Sequence, residues 1–332
     1  MTNAATPDPV LDVTRLRTEF RIGGNWRAAV DGLSLHIHAG ETLALVGESG
    51  CGKSMTALSV MGLVPRPAGR IAGRVRLDGV DLVGMPERQL EKLRGDRMAM
   101  IFQEPMTSLN PVMTIGDQVA ESLRIHRGLS RRDANRAALA VLEEVKIPSA
   151  AARFADYPHQ FSGGMRQRVV IALALACEPA LLLADEPTTA LDVTIQAQVL
   201  GLLADLKARH GMAMLFITHN LGVVAQIADR VAVMYAGQVV EQAAVHAVFR
   251  QPAHPYTAAL FAAIPRMDRP GQTLVAIPGR VPPLDAMPSG CRFQPRCPMA
   301  RAGCERPQIL AEAAPGQQVR CHVATGALQE AA

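Results

Sequence analysis

Between residues 8 and 245 short apolar runs alternate with stretches whose apolar residues recur at helical spacing. Leu43–Val46 is an apolar run that ends in glycine, and Lys53–Leu63 after it reads as a helix. Met98–Phe102, Leu181–Asp185, Ala213–Thr218 and Val231–Tyr235 are further buried-strand candidates, with helical patterns at Met165–Ala176 and Ile195–Arg209. Strand, tight turn and helix repeated in this way predict an α/β domain with a mainly parallel sheet over 8–250. Thr114–Val145, rich in alanine, leucine and arginine, reads as part of an inserted helical subdomain spanning about 112–180. Beyond 250 the texture changes: prolines and glycines crowd in with four cysteines, and a small irregular domain is expected over 251–332.

Composition narrows the class. Apolar residues make up 49% of the 332 and charged residues 19%, which suits a chain with a large buried core rather than a disordered one. The formal charge of +4 is small, and Arg131-Arg132 and Lys207-Ala208-Arg209 are isolated, so nothing calls for nucleic acid. The most apolar window, 169–185, is broken by Glu178-Pro179 and falls short of the roughly 20 residues of a spanning helix. The opening MTNAATPDPV has no basic-then-apolar signal pattern. A cytosolic chain is expected, where clustered cysteines point to metal rather than disulfides.

Two local patterns carry chemistry. Gly47-Glu48-Ser49-Gly50-Cys51-Gly52-Lys53-Ser54 fits G-x-x-x-x-G-K-[ST] between a strand and a helix. Glycines there let successive backbone N–H groups turn inward on phosphate oxygens, and the helix adds its positive end. Lys53 is expected to reach the β- and γ-phosphates and Ser54 to ligate Mg²⁺, with the loop through Met55 binding ATP. Leu181–Asp185 followed by Glu186 is an apolar strand ending in two carboxylates, Asp185 placed for Mg²⁺ and Glu186 for polarising the attacking water. Cys51 reads as a small filler residue and Cys177 as a core residue within a helix.

With these stand motifs that resemble the ATPases of ABC transporters. Phe161-Ser162-Gly163-Gly164-Met165 resembles their signature motif, with Phe161 and Met165 where leucine and glutamine are usual. Ala190-Leu191-Asp192 resembles the D-loop, Thr218-His219 the switch histidine, and Gln103 the Q-loop that senses Mg²⁺ and the membrane partner. The resemblance implies that Ser162, Gly163, Gly164 and Met165 face ATP held by a second subunit, so that a lone chain hydrolyses slowly. It implies that His219 contacts the γ-phosphate, and that an aromatic residue stacks on adenine, Phe20 before Trp26.

Further stretches are similar to the dipeptide, oligopeptide and nickel importer branch, and to its dipeptide-permease ATPases most closely. They are Ala29–Gly32, Met100–Pro111, Tyr157–Gln160, Ala184–Gln198, Met234–Glu241 and His254–Thr257. That resemblance implies a motor pairing with a second, homologous ATPase at the cytoplasmic face of the bacterial inner membrane, beneath two permeases fed by an extracytoplasmic substrate-binding protein. Cys291, Cys297, Cys304 and Cys321 have neither zinc-ribbon nor ferredoxin spacing. Their surroundings resemble the branch's tail, which implies a [4Fe–4S] cluster; zinc and free or disulfide-forming thiols stay open. Motors of this pattern also serve nickel and glutathione uptake. A different class, soluble ABC ATPases of DNA repair or translation, fits less well because those carry two cassettes or long coiled-coil insertions. A third reading makes the tail a metal sensor.

Overall fold

The computed structural model describes residues 8–103, 108–189, 191–263 and 276–326. Strands run at Leu11–Ile22 (β1), Asn25–Ile37 (β2), Thr42–Val46 (β3), Gly69–Leu77 (β4), Val80–Asp81 (β5), Met98–Ile101 (β6), Leu181–Asp185 (β7), Ala213–Thr218 (β8), Arg230–Tyr235 (β9), Gln238–Ala244 (β10), Ala311–Ala314 (β11) and Gln317–Val319 (β12). The chain divides into two compact units. The first holds the described part of Met1–Leu11 with Ile37–Glu41 and Arg76–Phe216; the second holds Asp12–His36, Thr42–Val75 and the described part of Ile217–Ala332.

In the first unit β6 and β7 pair in parallel, Met98 with Leu181 through Ile101 with Ala184, and β8 neighbours β7. Residues buried on both faces explain why these strands read as continuous apolar runs. The helix Gly163–Leu175 packs on β6 and against Ile115–Arg127, Arg131–Glu144 and Val193–His210. Two of these helices start on designed-looking caps: Thr114 accepts the Asp117 N–H and Ser130 the Asp133 N–H, both at 3.2 Å. Each such cap is worth about 1 kcal/mol. Ile115, Val119 and Leu123 then lie buried on one helix and Ala134, Ala138 and Leu142 on the next, so the stretch 114–145 expected to be helical forms two helices, each with one buried face. The strand expected to reach Phe102 ends at Ile101, and Phe102 is 42% exposed. Cys177 lies past the helix end rather than within it, buried with its Sγ 3.8 Å from the Ser122 carbonyl.

The second unit carries the strand order β11-β12-β10-β9-β3 and, separately, β2-β1-β4. β3 runs parallel to β9, Leu43 opposite Arg230 through Val46 opposite Val233, while β10 and β12 extend the sheet antiparallel. The boundary expected near 250 does not divide the units: the tail shares a unit with the phosphate loop, and β12 hydrogen-bonds onto β10. The tail is irregular over most of its described length, as expected, yet tied to the sheet through β12. Phe293 is buried in one core with Tyr235 and Tyr256, ring centroids 5.3 and 5.4 Å away, and such pairs contribute about 0.5–1.5 kcal/mol each beyond area burial. A bulge in β10 lies beside Glu241, wholly buried, which accepts the N–H groups of Ala253 and His254 and the Gln317 side-chain amide.

His254 caps the helix Pro255–Ala262, its Nδ1 accepting the Tyr256 N–H at 3.0 Å. Burial pushes its pKa down to about 3. An unfolded histidine takes its proton near pH 6.5, so between there and about 3 the unfolded chain holds a proton the folded chain refuses. Stability from this residue is complete above pH 6.5 and falls as pH drops, by up to about 1.4 kcal/mol per unit. His254→Asn, which keeps a capping acceptor, is expected to flatten that slope; urea unfolding at pH 7.5 and pH 5 measures it, and an unchanged difference between the two pH values would refute the assignment.

Candidate functional site

The phosphate loop lies in the second unit. β3, buried throughout, delivers the chain to Gly47, and the helix Lys53–Val60 leaves from Gly52, whose φ of 108° belongs to glycine. The loop is wedged against backbone on two sides. A Cβ at Gly47 would stand 2.2 Å from the Met234 carbonyl oxygen and 2.8 Å from Cys51 Sγ; one at Gly52 would stand 2.8 Å from the Ala29 carbonyl oxygen. Cys51 is the filler the sequence suggested, buried, with its thiol pKa pushed up by that burial. Lys53 is 6% exposed and folds back over the loop, its Nζ donating to the carbonyls of Gly47 (2.9 Å) and Glu48 (3.1 Å). The hydroxyls of Thr18 and Ser59 hydrogen-bond at 2.6 Å and tie the helix to β1.

The tail also reaches this loop, which the sequence did not reveal. Tyr256 Oη accepts the Glu48 N–H at 2.9 Å, and Arg296 grips the Glu48 carboxylate with both terminal nitrogens, at 2.9 and 3.2 Å. Glu48 was expected to serve ATP; here both its N–H and its carboxylate are engaged by the chain's own tail. Arg292 donates to Asp31 and to the Ala236 carbonyl, and the next residue, Gly237, donates to the Cys51 carbonyl at 2.8 Å. The motif Cys291-Arg-Phe-Gln-Pro-Arg-Cys297 had drawn notice for its cysteines, while its arginines make the contacts. His219 is exposed after β8, just before a helix capped by Asn220. Phe20 lies against Gly69, and the Trp26 ring is covered by the Arg70 guanidinium 4.2 Å from its centroid.

In the first unit Asp185 is buried at the end of β7 and Glu186 follows with φ +47°. A left-handed backbone at a residue other than glycine costs about 1–3 kcal/mol and is held only where the surroundings impose it. They do so here: the Thr189 N–H donates to the Glu186 carbonyl (3.1 Å), the Thr189 hydroxyl to Glu186 Oε2 (2.9 Å), and Gln103 Nε2 approaches the same oxygen at 3.4 Å. Gln103 and Glu186, 83 residues apart, are thus brought together. Thr189 was missed, although it lies in the quoted run Ala184–Gln198.

Ser162 caps the helix Gly163–Leu175, its Oγ accepting the Met165 N–H at 3.4 Å. A Cβ at Gly164 would strike Ile195 at 2.8 Å, whereas at Gly163 it would meet nothing within 4 Å. Gly163 is exposed, so packing within the chain gives no reason for glycine there. Asp192 caps the helix Val193–His210 through the Ile195 N–H at 3.0 Å, while Ala190 of the same motif lies outside the described residues.

The four tail cysteines are free thiols lining one gap of about 10 Å³ together with His254, Phe293, Gln308 and His322. That is room for about one water. Burial pushes the Cys291 pKa up to about 11, with Cys304 and Cys321 adding to the rise. Among the described residues no group of three or more His, Cys, Asp or Glu is set to hold a metal ion. Among them, too, no helix is long and apolar enough to cross a membrane.

A glycine loop with its lysine between strand and helix, and a buried strand ending in paired carboxylates, define a nucleotide-hydrolysing P-loop protein. Residues 30–189 match the ABC transporter family model, and residues 240–304 match the oligopeptide/dipeptide transporter C-terminal region. A candidate peptide import ATP-binding protein of Brucella melitensis is 54% identical over 308 residues, 89% of this chain and 91% of its own. Another, of Brucella abortus, is 47% identical over 321 residues, 97% of each. Among solved structures, a dimeric ATP-binding cassette in a post-hydrolysis state with ADP and Pi superposes with a TM-score of 0.63 at 28% identity, over 71% of this chain and 98% of its own. A component of an ABC transporter complex from Clostridium perfringens gives 0.61 at 25%, over 74% and 92%. The chain belongs to the ABC transporter ATPase family, in the branch bearing the oligopeptide/dipeptide transporter C-terminal region. It is an ATPase with the α/β cassette fold.

Proposed function

We propose that this ATPase is a motor subunit of a bacterial peptide importer, working at the cytoplasmic face of the inner membrane. Its partners would be a homologous second ATPase, two permeases and an extracytoplasmic substrate-binding protein. The observation that carries the cargo class is the segment 240–304, which matches the peptide-transporter C-terminal region and belongs to the same compact unit as the phosphate loop. Lys53 would leave the Gly47 and Glu48 carbonyls for the β- and γ-phosphates, joined by the loop's N–H groups through Met55. Ser54, Gln103 and Asp185 offer the oxygen donors that suit Mg²⁺, which supplies charge neutralisation at the phosphates. Glu186, its carboxylate oriented by Thr189, would take the proton of the attacking water, with His219 at the γ-phosphate and Phe20 at the adenine. Ser162–Met165 would face the nucleotide of the second ATPase, and Asp192 would support that interface. Cys291, Cys297, Cys304 and Cys321 are read as ligands of a [4Fe–4S] cluster with a structural role; what supports this is that the four free thiols line one gap and form the Cys₄ set such clusters use.

The test is uptake of radiolabelled dipeptide, longer oligopeptide and Ni²⁺ in cells lacking the gene, complemented with the native chain, Lys53→Ala or Glu186→Gln. Peptide uptake restored by the native chain and by neither variant is the expected result. Restoration of Ni²⁺ alone would move the cargo to nickel. Independence of every cargo from the gene, with the protein absent from membranes, would move the reading to the soluble ABC ATPases.

A further inference from the structure

We propose that Arg296 is a positioning residue for the ATP site, acting by masking the charge of Glu48 within the phosphate loop. The inference rests on the reading that this loop binds ATP. Glu48 places a carboxylate one residue into a loop whose ligand is a polyanion, and its side chain keeps 24% of its surface open to solvent. Left alone, that charge would repel the phosphates and its side chain would be free to swing toward them. Arg296 removes both problems. Its guanidinium meets the carboxylate with two parallel hydrogen bonds, the geometry that fixes orientation as well as charge.

The arginine has little freedom to do otherwise. Its side chain is 6% exposed; Nε donates to the Pro278 carbonyl at 2.7 Å, one terminal nitrogen lies 3.3 Å from Tyr235 Oη, and the group sits over the Tyr235 and Phe293 rings. A tail residue 248 positions away in sequence is thereby built into the floor of the loop. Beside it, Tyr256 Oη receives the Glu48 N–H, so the same residue is held by backbone and side chain at once. The buried Tyr235, Tyr256 and Phe293 rings already supply apolar anchorage.

The experiment is titration of the full-length chain with a fluorescent ATP analogue, alongside thermal melting without nucleotide, for the native protein, Lys53→Ala, Arg296→Gln, Glu48→Gln and the double variant. Arg296→Gln is expected to weaken nucleotide binding about tenfold, the scale of coupling between contacting charged residues. Glu48→Gln alone should bind more tightly than the native chain, because it removes the carboxylate that opposes the phosphates and keeps Arg296 beside the loop. The double variant should regain most of the loss, a rescue that a purely structural role cannot produce. Native affinity in Arg296→Gln, no gain in affinity in Glu48→Gln, or a double variant no better than Arg296→Gln would each overturn the proposal. If Arg296→Gln does not fold, as melting would reveal, the Glu48→Gln result decides alone. A native chain that binds no more nucleotide than Lys53→Ala would instead remove the reading of the loop as an ATP site.

Discussion

Glu186→Gln is expected to lower ATP turnover by about two to four orders of magnitude while leaving ATP affinity within a few-fold of native, because removing a general base costs the proton transfer and not the binding. Glutamine keeps the length and shape of the side chain. It also keeps an oxygen that can accept the Thr189 hydroxyl, now 2.9 Å from Oε2. The strained backbone at Glu186, φ +47°, is imposed by the Thr189 N–H and the turn after β7, and so persists in the variant. What disappears is the negative charge that draws a proton from water. The measurement is phosphate release and nucleotide binding on the assembled complex, because the proposed site faces a second ATPase. Turnover within tenfold of native would exclude Glu186 as the base and shift attention to His219. A parallel collapse of affinity would mean that the carboxylate holds the nucleotide or its Mg²⁺ instead.

Much of this site was legible because it is local. The phosphate loop is eight consecutive residues between a wholly buried five-residue strand and a helix, and each of those features leaves its own trace in the sequence. The same holds for β7 with its terminal acids and for Ser162 before its helix, where the signature serine doubles as an N-cap. The contacts that stayed hidden are non-local. Nothing in Pro295-Arg296-Cys297 says that the guanidinium meets Glu48, and nothing in His254-Pro-Tyr256 says that the phenol meets the same residue's N–H. β11 was invisible for a different reason. Ala-Glu-Ala-Ala has poor strand propensity and lies largely exposed, so it becomes a strand only by pairing with β12, itself laid on β10. The tail's packing is hidden for the same cause: proline density marks an absence of regular structure, not an absence of contacts, and Phe293 is only 1% exposed.

Lys53→Ala is expected to reduce ATP affinity by about a hundredfold or more, the scale for deleting one partner of a desolvated charge pair. The contacts of Lys53 explain why the loss should fall on binding rather than folding. Lys53 Nζ is held by two neutral carbonyls, those of Gly47 and Glu48, so its removal strands no opposite charge. Its helix is anchored elsewhere, by the Thr18–Ser59 hydrogen bond and by Thr56 Oγ1 on the Gly52 carbonyl. Melting without nucleotide should therefore shift little, while the rise in melting temperature that saturating ATP gives the native chain should vanish at the same ATP concentration. An affinity loss below tenfold would mean that the loop's N–H groups and the helix end carry the triphosphate without the lysine. A large drop in nucleotide-free stability would mean that Lys53 chiefly pins the loop backbone. Either outcome would separate two roles for Lys53: pinning the loop through the Gly47 and Glu48 carbonyls, and binding the phosphates.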